Sequence, residues 1–263
     1  MRFDVCAHTY DEHAGPQRFF AERVAQFILG SRTGILPVQL DGHARKASQI
    51  AAASPNRQDA CPTTVLELGA GTGALTRCLA RGPGAAPILA TDVSPKMVER
   101  GRLAVPQAQW SVLDAFREPL PMAALQVSSG LLQWAEDPGV VIRRWKTYLA
   151  PDGRMIHAIP CEPCLAEWRS LVPESPVPWR NESEWLKTFE RAGLQVTRSL
   201  NWTHTDTCSS ALEMVRGFHR TGVTGRMRVG PARLRQALRA YDQKHGAANG
   251  VKLTWTWLAI EAR

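Results

Sequence analysis

A run of apolar and β-branched residues at 64–68 leads directly into three closely spaced glycines, Gly69, Gly71 and Gly73, and a helical pattern follows them. This order predicts the first strand, turn and helix of an α/β sheet, in which the turn lets a ligand approach the start of the helix. The third glycine stands one position earlier than in the dinucleotide spacing Gly-x-Gly-x-x-Gly. The acidic Glu67 would repel a pyrophosphate and suits an ammonium group. A tight turn without a ligand is the alternative.

The alternation of strand and helix continues along the chain and predicts the fold class. Further strands are predicted at 86–91, 110–113, 125–129 and 154–159, and helices at 74–80, 95–102 and 140–149, with a turn at 150–153. Ser94 is a favoured cap for the second of these helices. Strands that alternate with helices form parallel sheets covered on both faces. The sequence therefore predicts an α/β fold with a Rossmann-like, doubly wound, mostly parallel sheet.

The length suits a single domain, 1–263, and changes in composition divide it. The predicted parts are an N-terminal helical segment at 1–29, a surface insertion at 30–63, a cofactor-binding core at 64–160, a cap at 161–192 and the C-terminal part of the sheet at 193–263. Within them, helices are predicted at 19–29, 185–192, 211–218 and 232–241, and strands at 193–200 and 251–262.

Charge and hydrophobicity limit the partners and the compartment. A formal net charge of +8 favours an acidic partner, but the basic residues form no run interleaved with aromatics, so we expect no nucleic acid. No stretch approaches the roughly 20 apolar residues of a spanning helix, and the N-terminus lacks a secretory pattern. We therefore expect no membrane partner, a cytoplasmic location and a monomer.

Cysteine spacing gives no metal site. The six cysteines are scattered, and only Cys161 and Cys164 form a close pair. A zinc site needs a second pair or histidines at ligand spacing, so reduced thiols and no metal are expected.

Two acidic residues follow the second and third predicted strands. Asp92 stands where a carboxylate can accept both ribose hydroxyl hydrogens, and Asp114 with Ala115 suits an adenine amino group beside an apolar wall. A helix cap at Asp92 and an ordinary loop aspartate at Asp114 are the alternatives. Because the carboxyl ends of parallel strands meet at one edge, these residues and the glycine turn predict a ligand crevice there.

Residues 65–75, 92–97 and 114–115 resemble motifs one to three of class I methyltransferases. The resemblance implies S-adenosylmethionine as the cofactor and leaves the methyl acceptor open. The residues implied to bind the cofactor are Tyr10, Glu67, Gly69, Ala70, Gly71, Gly73, Asp92, Val93, Met97, Asp114, Ala115, Ser129 and Leu131. Tyr10 is expected to close over the cofactor, with simple packing as the alternative.

The flanking segments are similar to one family within this class. Residues 3–18 contain a tyrosine followed by His-Ala and Gln-Arg, and residues 128–134 end in Gln-Trp. With residues 211–223 and 255–263, they resemble the malonyl-[acyl-carrier protein] O-methyltransferases of biotin synthesis. The resemblance implies methyl transfer to the free carboxylate of a malonyl group on an acidic carrier protein.

This resemblance also implies the substrate residues. Gln133 and Trp134 should lie near the reacting methyl group, although packing is the alternative for Trp134, and no catalytic residue is assigned. Because a malonyl carboxylate is already ionised at neutral pH, no general base is required. An arginine should hold it. The candidates are Arg143 and Arg216, followed by Arg144, Arg169 and Arg220, each with a solvated surface charge as the alternative.

Two other functions remain open. A methyltransferase acting on a small molecule, such as a quinone precursor or another carboxylate, would share the cofactor motifs and is distinguished by its acceptor. A non-catalytic binding module would keep the fold, and it is distinguished by failure to bind S-adenosylmethionine.

Overall fold

An open β-sheet is the centre of the computed structural model, which describes Tyr10 and residues 14–30, 63–81, 85–175, 177–222 and 229–263. Its strands are β1 (Thr63–Leu68), β2 (Ile88–Asp92), β3 (Gln109–Val112), β4 (Ala123–Ser129), β5 (Leu149–Pro160), β6 (Val196–Cys208), β7 (Gly246–Ala247) and β8 (Gly250–Ala262). The strand order is β3-β2-β1-β4-β5-β8-β6, and β7 pairs with the start of β8. Strands β1 to β5 run parallel, whereas β8 runs antiparallel between β5 and β6. The predicted α/β fold with a mostly parallel sheet is confirmed.

Helices cover both faces of the sheet because successive residues of a strand point to opposite sides. The helices are α1 (Gly15–Leu29), α2 (Ala74–Leu79), α3 (Pro95–Ala104), α4 (Pro138–Lys146), α5 (Ala166–Arg169), α6 (Glu182–Arg191), α7 (Ala211–Arg220) and α8 (Pro231–His245), with a 3-10 turn at Leu132–Trp134. Val65 packs in a buried cluster with residues of α1, α2 and α3, and its neighbour Leu66 packs in a second cluster with residues of α4 and α6. The sheet is therefore doubly wound.

Local signals fixed the start of α3 correctly. The Ser94 hydroxyl accepts a hydrogen bond from the backbone N–H of Met97 at 3.2 Å, and a proline follows it in the first turn. The predicted helix N-cap at Ser94 is confirmed.

Two boundaries differ from the sequence prediction. The turn predicted at 150–153 lies within β5, where pairing with β4 jumps from Ala123↔Leu149 to Leu125↔Arg154. The turn therefore interrupts the ladder without ending the strand. Strand β6 continues well beyond its predicted end at residue 200, because it pairs with β8 along its length.

Helix α6 falls within the cap predicted at 161–192 and packs on one face of the sheet, so the cap stays a prediction for the residues before this helix. Trp185 and Phe189 of this helix pack with Trp145 of α4 in the buried cluster on one face of the sheet. The helix therefore belongs to the layer that covers the sheet.

The distal halves of β6 and β8 project beyond the C-terminal edge of the parallel strands. Strand β5 pairs with β8 only as far as Pro160↔Trp257, and residues 252–256 of β8 pair with no described strand other than β6. Helices α5, α7 and α8 contribute Trp168, Phe218 and Tyr241 to one aromatic group on this projection.

Part of the sequence prediction lies outside the described residues. This applies to 1–9 and 11–13 of the N-terminal segment and to nearly all of the insertion predicted at 30–63. In the part of the chain that the structure describes, no helix is long and apolar enough to cross a bilayer. The same residues contain no group of three or more His, Cys, Asp or Glu arranged to hold a metal ion.

Candidate functional site

The glycine turn after β1 forms an open loop at the C-terminal edge of the sheet. Gly69, Gly71 and Gly73 have φ angles of +65°, +57° and +88°, in the left-handed region that glycine tolerates. A Cβ atom on Gly71 would meet no atom within 4 Å, whereas a Cβ on Gly69 would lie 2.8 Å from the side chain of Leu131. The loop therefore packs closely against the segment after β4 and leaves open space at Gly71.

Asp92, the last residue of β2, fixes this loop. Its Oδ2 accepts a hydrogen bond from the backbone N–H of Gly71 at 2.9 Å, and its Oδ1 accepts one from the N–H of Ser94 at 2.9 Å. These two bonds hold the carboxylate in one orientation. Because a carboxylate has about four lone-pair sites, it can accept further hydrogen bonds.

The loop after β3 is held by α4. Asp114 accepts a hydrogen bond from the N–H of Phe116 through Oδ1 at 2.9 Å. The guanidinium of Arg144 donates to three carbonyl oxygens of this loop, at distances between 2.5 and 2.9 Å. The guanidinium of Arg144 therefore holds this loop in place, and Arg144 is no longer a candidate for binding the substrate carboxylate.

The loop after β4 brings a polar side chain and an aromatic ring together. Gln133 donates from Nε2 to the carbonyl of Gly130 at 2.7 Å, and its buried Oε1 has no hydrogen-bond partner among the described residues. A Cβ on Gly130 would lie 2.8 Å from the ring of Trp257. Phe20 of α1 stacks on that ring with 4.7 Å between centroids. Helix α1 therefore closes one side of this loop.

The remaining residues that the resemblance implied for cofactor binding differ in exposure. Ala70, Met97 and Ala115 are buried, Val93 is exposed, and Tyr10, Ser129 and Leu131 are half-buried, as is Trp134, which was implied for the acceptor. Tyr10 is described without its immediate neighbours, so its expected closure over the cofactor stays a prediction. The same holds for the contact of Trp134 with the acceptor.

Glu67 lies beneath the glycine loop. It is 2% exposed, and the hydroxyl of Thr76 donates to its Oε2 at 2.7 Å, which ties β1 to α2. Burial, reinforced by the nearby negative charge of Asp92, raises the pKa of Glu67 to about 8. The carboxyl therefore carries a proton at neutral pH. Its contact with an ammonium group, expected from the sequence, stays a prediction.

Replacing Glu67 with glutamine tests this burial through the pH dependence of stability. Between the ordinary pKa of 4.5 and about 8, the unfolded chain has lost a proton that the folded protein keeps, so rising pH favours unfolding. Glutamine resembles the neutral carboxyl and removes this effect. We expect the free energy of unfolding of the wild type to fall relative to that of E67Q by about 1 kcal/mol per pH unit. Urea titrations at several pH values measure the difference.

A second buried group, His157, also affects the pH dependence of each protein. Burial lowers the pKa of this histidine from 6.5 to about 3, so its contribution to stability is complete above pH 6.5 and is lost below it. Because both proteins contain His157, its contribution cancels in the difference between wild type and E67Q, and between pH 6.5 and 8 each separate curve is also free of it. Parallel stability curves for the two proteins in this window would show that Glu67 ionises normally.

The arginines proposed from the sequence as carboxylate clamps are dispersed. Arg143 is exposed on α4, and Arg216 is exposed on α7, where it pairs with Glu213. Because α4 and α7 contribute to different clusters on the two faces of the sheet, the structure does not bring these arginines together. Arg220 also pairs with Glu213, at 3.9 Å, and Arg169 pairs with Glu162 at 2.8 Å.

Sequence reasoning missed Arg180, which precedes the Asn181 cap of α6. Its guanidinium carbon lies 5.1 Å from the ring centroid of Trp185. The Nη1 of Arg180 and the indole Nε1 of Trp185 are both buried, and neither has a hydrogen-bond partner among the residues described. The carbonyl of Arg180 accepts the N–H of Glu162 at 3.0 Å, just beyond β5. Nothing in a single sequence distinguishes such an arginine from a surface charge.

The residues around the glycine loop fit S-adenosylmethionine, the cofactor implied by the motifs. The open space at Gly71 permits close approach to the backbone, and the oriented carboxylate of Asp92 suits the ribose hydroxyls. The unpaired Oε1 of Gln133 adds a buried acceptor at the same edge. Asp114 would meet the adenine amino group.

Comparisons with known proteins identify the family of the chain. A family model described as a methyltransferase domain matches residues 38–199, more than half of the chain. The biotin biosynthesis bifunctional protein BioCD of Bordetella avium (strain 197N) is 29% identical over 261 residues, which cover 92% of this chain and 48% of that protein. A malonyl-[acyl-carrier protein] O-methyltransferase of Halorhodospira halophila (strain DSM 244 / SL1) is 32% identical over 161 residues, with coverages of 59% and 45%.

A relative with a different named acceptor is also similar. The trans-aconitate 2-methyltransferase of Rhodococcus jostii (strain RHA1) is 38% identical over 101 residues, which cover 36% of this chain and 37% of that protein. In each of these three matches the aligned part spans less than half the length of the curated relative.

A solved structure shares the fold. A protein of Bacillus halodurans C-125, described as a methyltransferase, has a TM-score of 0.57 at 15% identity, covering 77% of this chain and 92% of that one. At this identity the likeness concerns the fold alone. The family model, which matches most of the chain including the glycine loop and the strand ends, shows that the chain belongs to the methyltransferase domain family and has the class I S-adenosylmethionine-dependent methyltransferase fold.

Proposed function

We propose that the chain is an S-adenosylmethionine-dependent O-methyltransferase that converts the free carboxylate of malonyl-[acyl-carrier protein] to its methyl ester in biotin synthesis. The observation that carries the proposal is the crevice at the strand ends, where the space at Gly71, the carboxylate of Asp92 and the buried amide of Gln133 share one edge. The acceptor is supported by the flanking segments and by relatives named for biotin biosynthesis and malonyl-[acyl-carrier protein] methylation.

The side chains around Gly130 suit an acceptor that arrives already ionised. When bound, S-adenosylmethionine would supply a sulfonium methyl group: an ionised oxygen can bond to the methyl carbon as the carbon–sulfur bond breaks and the neutral thioether leaves, with no general base. Trp257 and Gln133, which contact Gly130, do not titrate near neutral pH. Their contribution would be to align the reactants and to exclude water, with Phe20 sealing the ring of Trp257 from the α1 side.

Arg180 is the arginine that we place on the malonyl carboxylate. Its Nη1 and the Nε1 of Trp185 are two donors without partners among the described residues, and a carboxylate oxygen satisfies both kinds of donor. Trp185 belongs to the buried cluster against which Leu131, in the loop after β4, also packs. Arg180 and Trp185 would hold one carboxylate oxygen while the other oxygen attacks the methyl carbon.

Replacing Arg180 with glutamine tests this assignment. We expect the KM for malonyl-carrier protein to rise about tenfold or more through loss of a charged hydrogen bond. The Kd for S-adenosylmethionine should be unchanged, because Arg180 adjoins the end of β5 and not the glycine loop. Steady-state kinetics and calorimetric titration measure the two constants. R180K, which keeps the charge without the planar fork, should be intermediate.

The variants R143Q and R216Q are the matched comparisons, because each removes one exposed arginine that the sequence suggested for the same role. We expect neither to raise the KM as R180Q does. A larger rise in R143Q or R216Q would move the carboxylate site to that residue.

A methyltransferase for a small carboxylate is the second candidate, favoured by the similarity to trans-aconitate 2-methyltransferase. The two candidates share the cofactor site and differ in the acceptor. Purified protein offered malonyl-carrier protein, trans-aconitate and a quinone precursor separately should methylate only the first. Methylation of trans-aconitate alone would favour the second candidate.

Complementation of a biotin auxotroph that lacks the malonyl methylation step tests the proposed function in cells. Growth without biotin is expected from the wild-type chain and not from a variant unable to bind the cofactor. Absence of growth with folded protein present would count against the malonyl acceptor. Calorimetry with S-adenosylmethionine then separates an enzyme with another acceptor from a non-catalytic binding module.

A further inference from the structure

Positive charge is concentrated on α7 and α8. These two helices contain six arginine and lysine residues against two acidic residues, a formal charge of +4 that is half of the +8 of the whole chain. All six cationic side chains are exposed, and they are Arg216, Arg220, Arg233, Arg235, Arg239 and Lys244. We call this surface the basic face.

Part of the basic face has no partner within the chain. Glu213 pairs with Arg216 and Arg220, and Glu174 pairs with Arg233. Arg235 and Arg239, one helical turn apart on α8, form no ion pair with any residue that the structure describes. Two neighbouring unpaired cations on a helix are available to an external anionic group.

The basic face is held on the projection of β6 and β8, beyond the C-terminal edge of the parallel strands. Phe218 of α7 packs edge-on against Trp255 of β8, with 6.1 Å between centroids. The hydroxyl of Tyr241 in α8 donates to the carbonyl of Lys252 at 2.7 Å, and Asp242 accepts the N–H of Ala211 at 2.8 Å, which joins α8 to α7. The cations therefore lie on packed helices beyond the C-terminal edge of the parallel strands, which is the edge that carries the glycine loop.

The helix α6 carries the opposite balance of charge. It contains Glu182, Glu184 and Glu190 against Lys187 and Arg191. Glu162 borders the same groove as Glu182 and Glu190. A negatively charged partner is therefore repelled at α6 and attracted at α7 and α8, which orients it as it approaches.

We propose that the basic face is the docking surface for an acidic carrier protein that presents the acceptor group to the crevice; this rests on the proposed function. A folded protein fits the face better than a nucleic acid does. The exposed Leu212 offers an apolar contact among the cations, and the acidic Glu213 and Asp242 interrupt the positive field that a phosphate backbone would follow.

Charge reversal tests the docking surface with a matched control. The variant R235E/R239E reverses two unpaired cations of the basic face, and K187E/R191E makes the same change in net charge on α6. Each protein is assayed with malonyl-carrier protein and with malonyl-pantetheine, which has the same reacting group without the protein. R235E/R239E should raise the KM for malonyl-carrier protein about tenfold or more and leave the KM for malonyl-pantetheine unchanged. K187E/R191E changes the helix that the docked carrier already avoids, so it should change neither KM, and the effect of R235E/R239E should shrink as salt is added.

Direct binding separates failure of docking from failure of the proposed function. If the wild type methylates neither substrate, the proposed function is wrong, and fluorescence anisotropy with labelled carrier protein still tests the docking surface. Weaker carrier binding by R235E/R239E alone supports it. Equal affinities for wild type and both variants, or equal losses in both variants, would overturn it. Duplex DNA that binds more tightly than the carrier and depends on the same arginines would also overturn it.

Discussion

Gly71→Val should abolish binding of S-adenosylmethionine and leave a folded protein. The space that a Cβ would enter at Gly71 is open, so the fold can accept a side chain there, but the methyl groups of valine would occupy the approach to the backbone. The φ angle of +57° is also unfavourable for a β-branched residue. Calorimetric titration should show no heat of binding in the variant at concentrations that saturate the wild type.

Gly193→Val controls for the backbone strain. Gly193 has a φ angle of +81° in an exposed turn after α6, and a Cβ there would approach only the flexible end of Lys146, at 3.2 Å. Both variants should lose stability in thermal melts, whereas only G71V should lose cofactor binding. Retained methyl transfer by G71V would mean that the glycine turn serves the fold and not the ligand.

Asp92→Ala should weaken binding of S-adenosylmethionine by about 1–3 kcal/mol, or about fivefold to 150-fold in Kd, through loss of charged hydrogen bonds. Two causes combine in this effect. The ribose hydroxyls would lose their acceptor, and the N–H of Gly71 would lose the Oδ2 atom that positions the loop. Asp92→Asn should weaken cofactor binding nearly as much, because its amide nitrogen would face the backbone N–H of either Gly71 or Ser94.

Asp137→Ala is the matched control for this substitution. Asp137 caps α4 by accepting the N–H of Val140 at 3.0 Å, and its loss should lower stability by about 0.5–2 kcal/mol without changing cofactor affinity. Cofactor binding by D92A at wild-type strength would show that the ribose lies elsewhere.

Short-range patterns were sufficient for the parallel half of the fold. The glycine turn, the Ser94 cap and the alternation of apolar segments each depend on residues close together in sequence, and the structure has the strands and helices that they predict. The strand ends meet at one edge because parallel strands with crossover helices leave no other arrangement. This is why Gly71 and Asp92, 21 residues apart, are joined by a hydrogen bond.

The sequence patterns do not predict pairing between strands that are distant in the chain. The distal part of β6, residues 201–208, is mostly polar with a single tryptophan, and only its pairing with β8, through contacts such as Trp202↔Trp257, makes it a strand. The stacking of Arg180 on Trp185 and the three loop carbonyls held by Arg144 likewise depend on the folded arrangement. Local sequence carries no information about such contacts, so it predicts neither the packing of α6 on the sheet nor the position of Arg180 beside Trp185.

Transfer of a labelled methyl group tests the central claim most directly. The purified chain is incubated with S-adenosylmethionine that carries a deuterated methyl group and with malonyl-carrier protein, and the carrier is analysed by mass spectrometry. We predict one labelled methyl group on the malonyl carboxylate, which mild alkaline hydrolysis releases as labelled methanol, and none on carrier protein that lacks the malonyl group. An unlabelled malonyl-carrier protein, in a sample where the chain is folded and saturated with S-adenosylmethionine, would contradict the proposal.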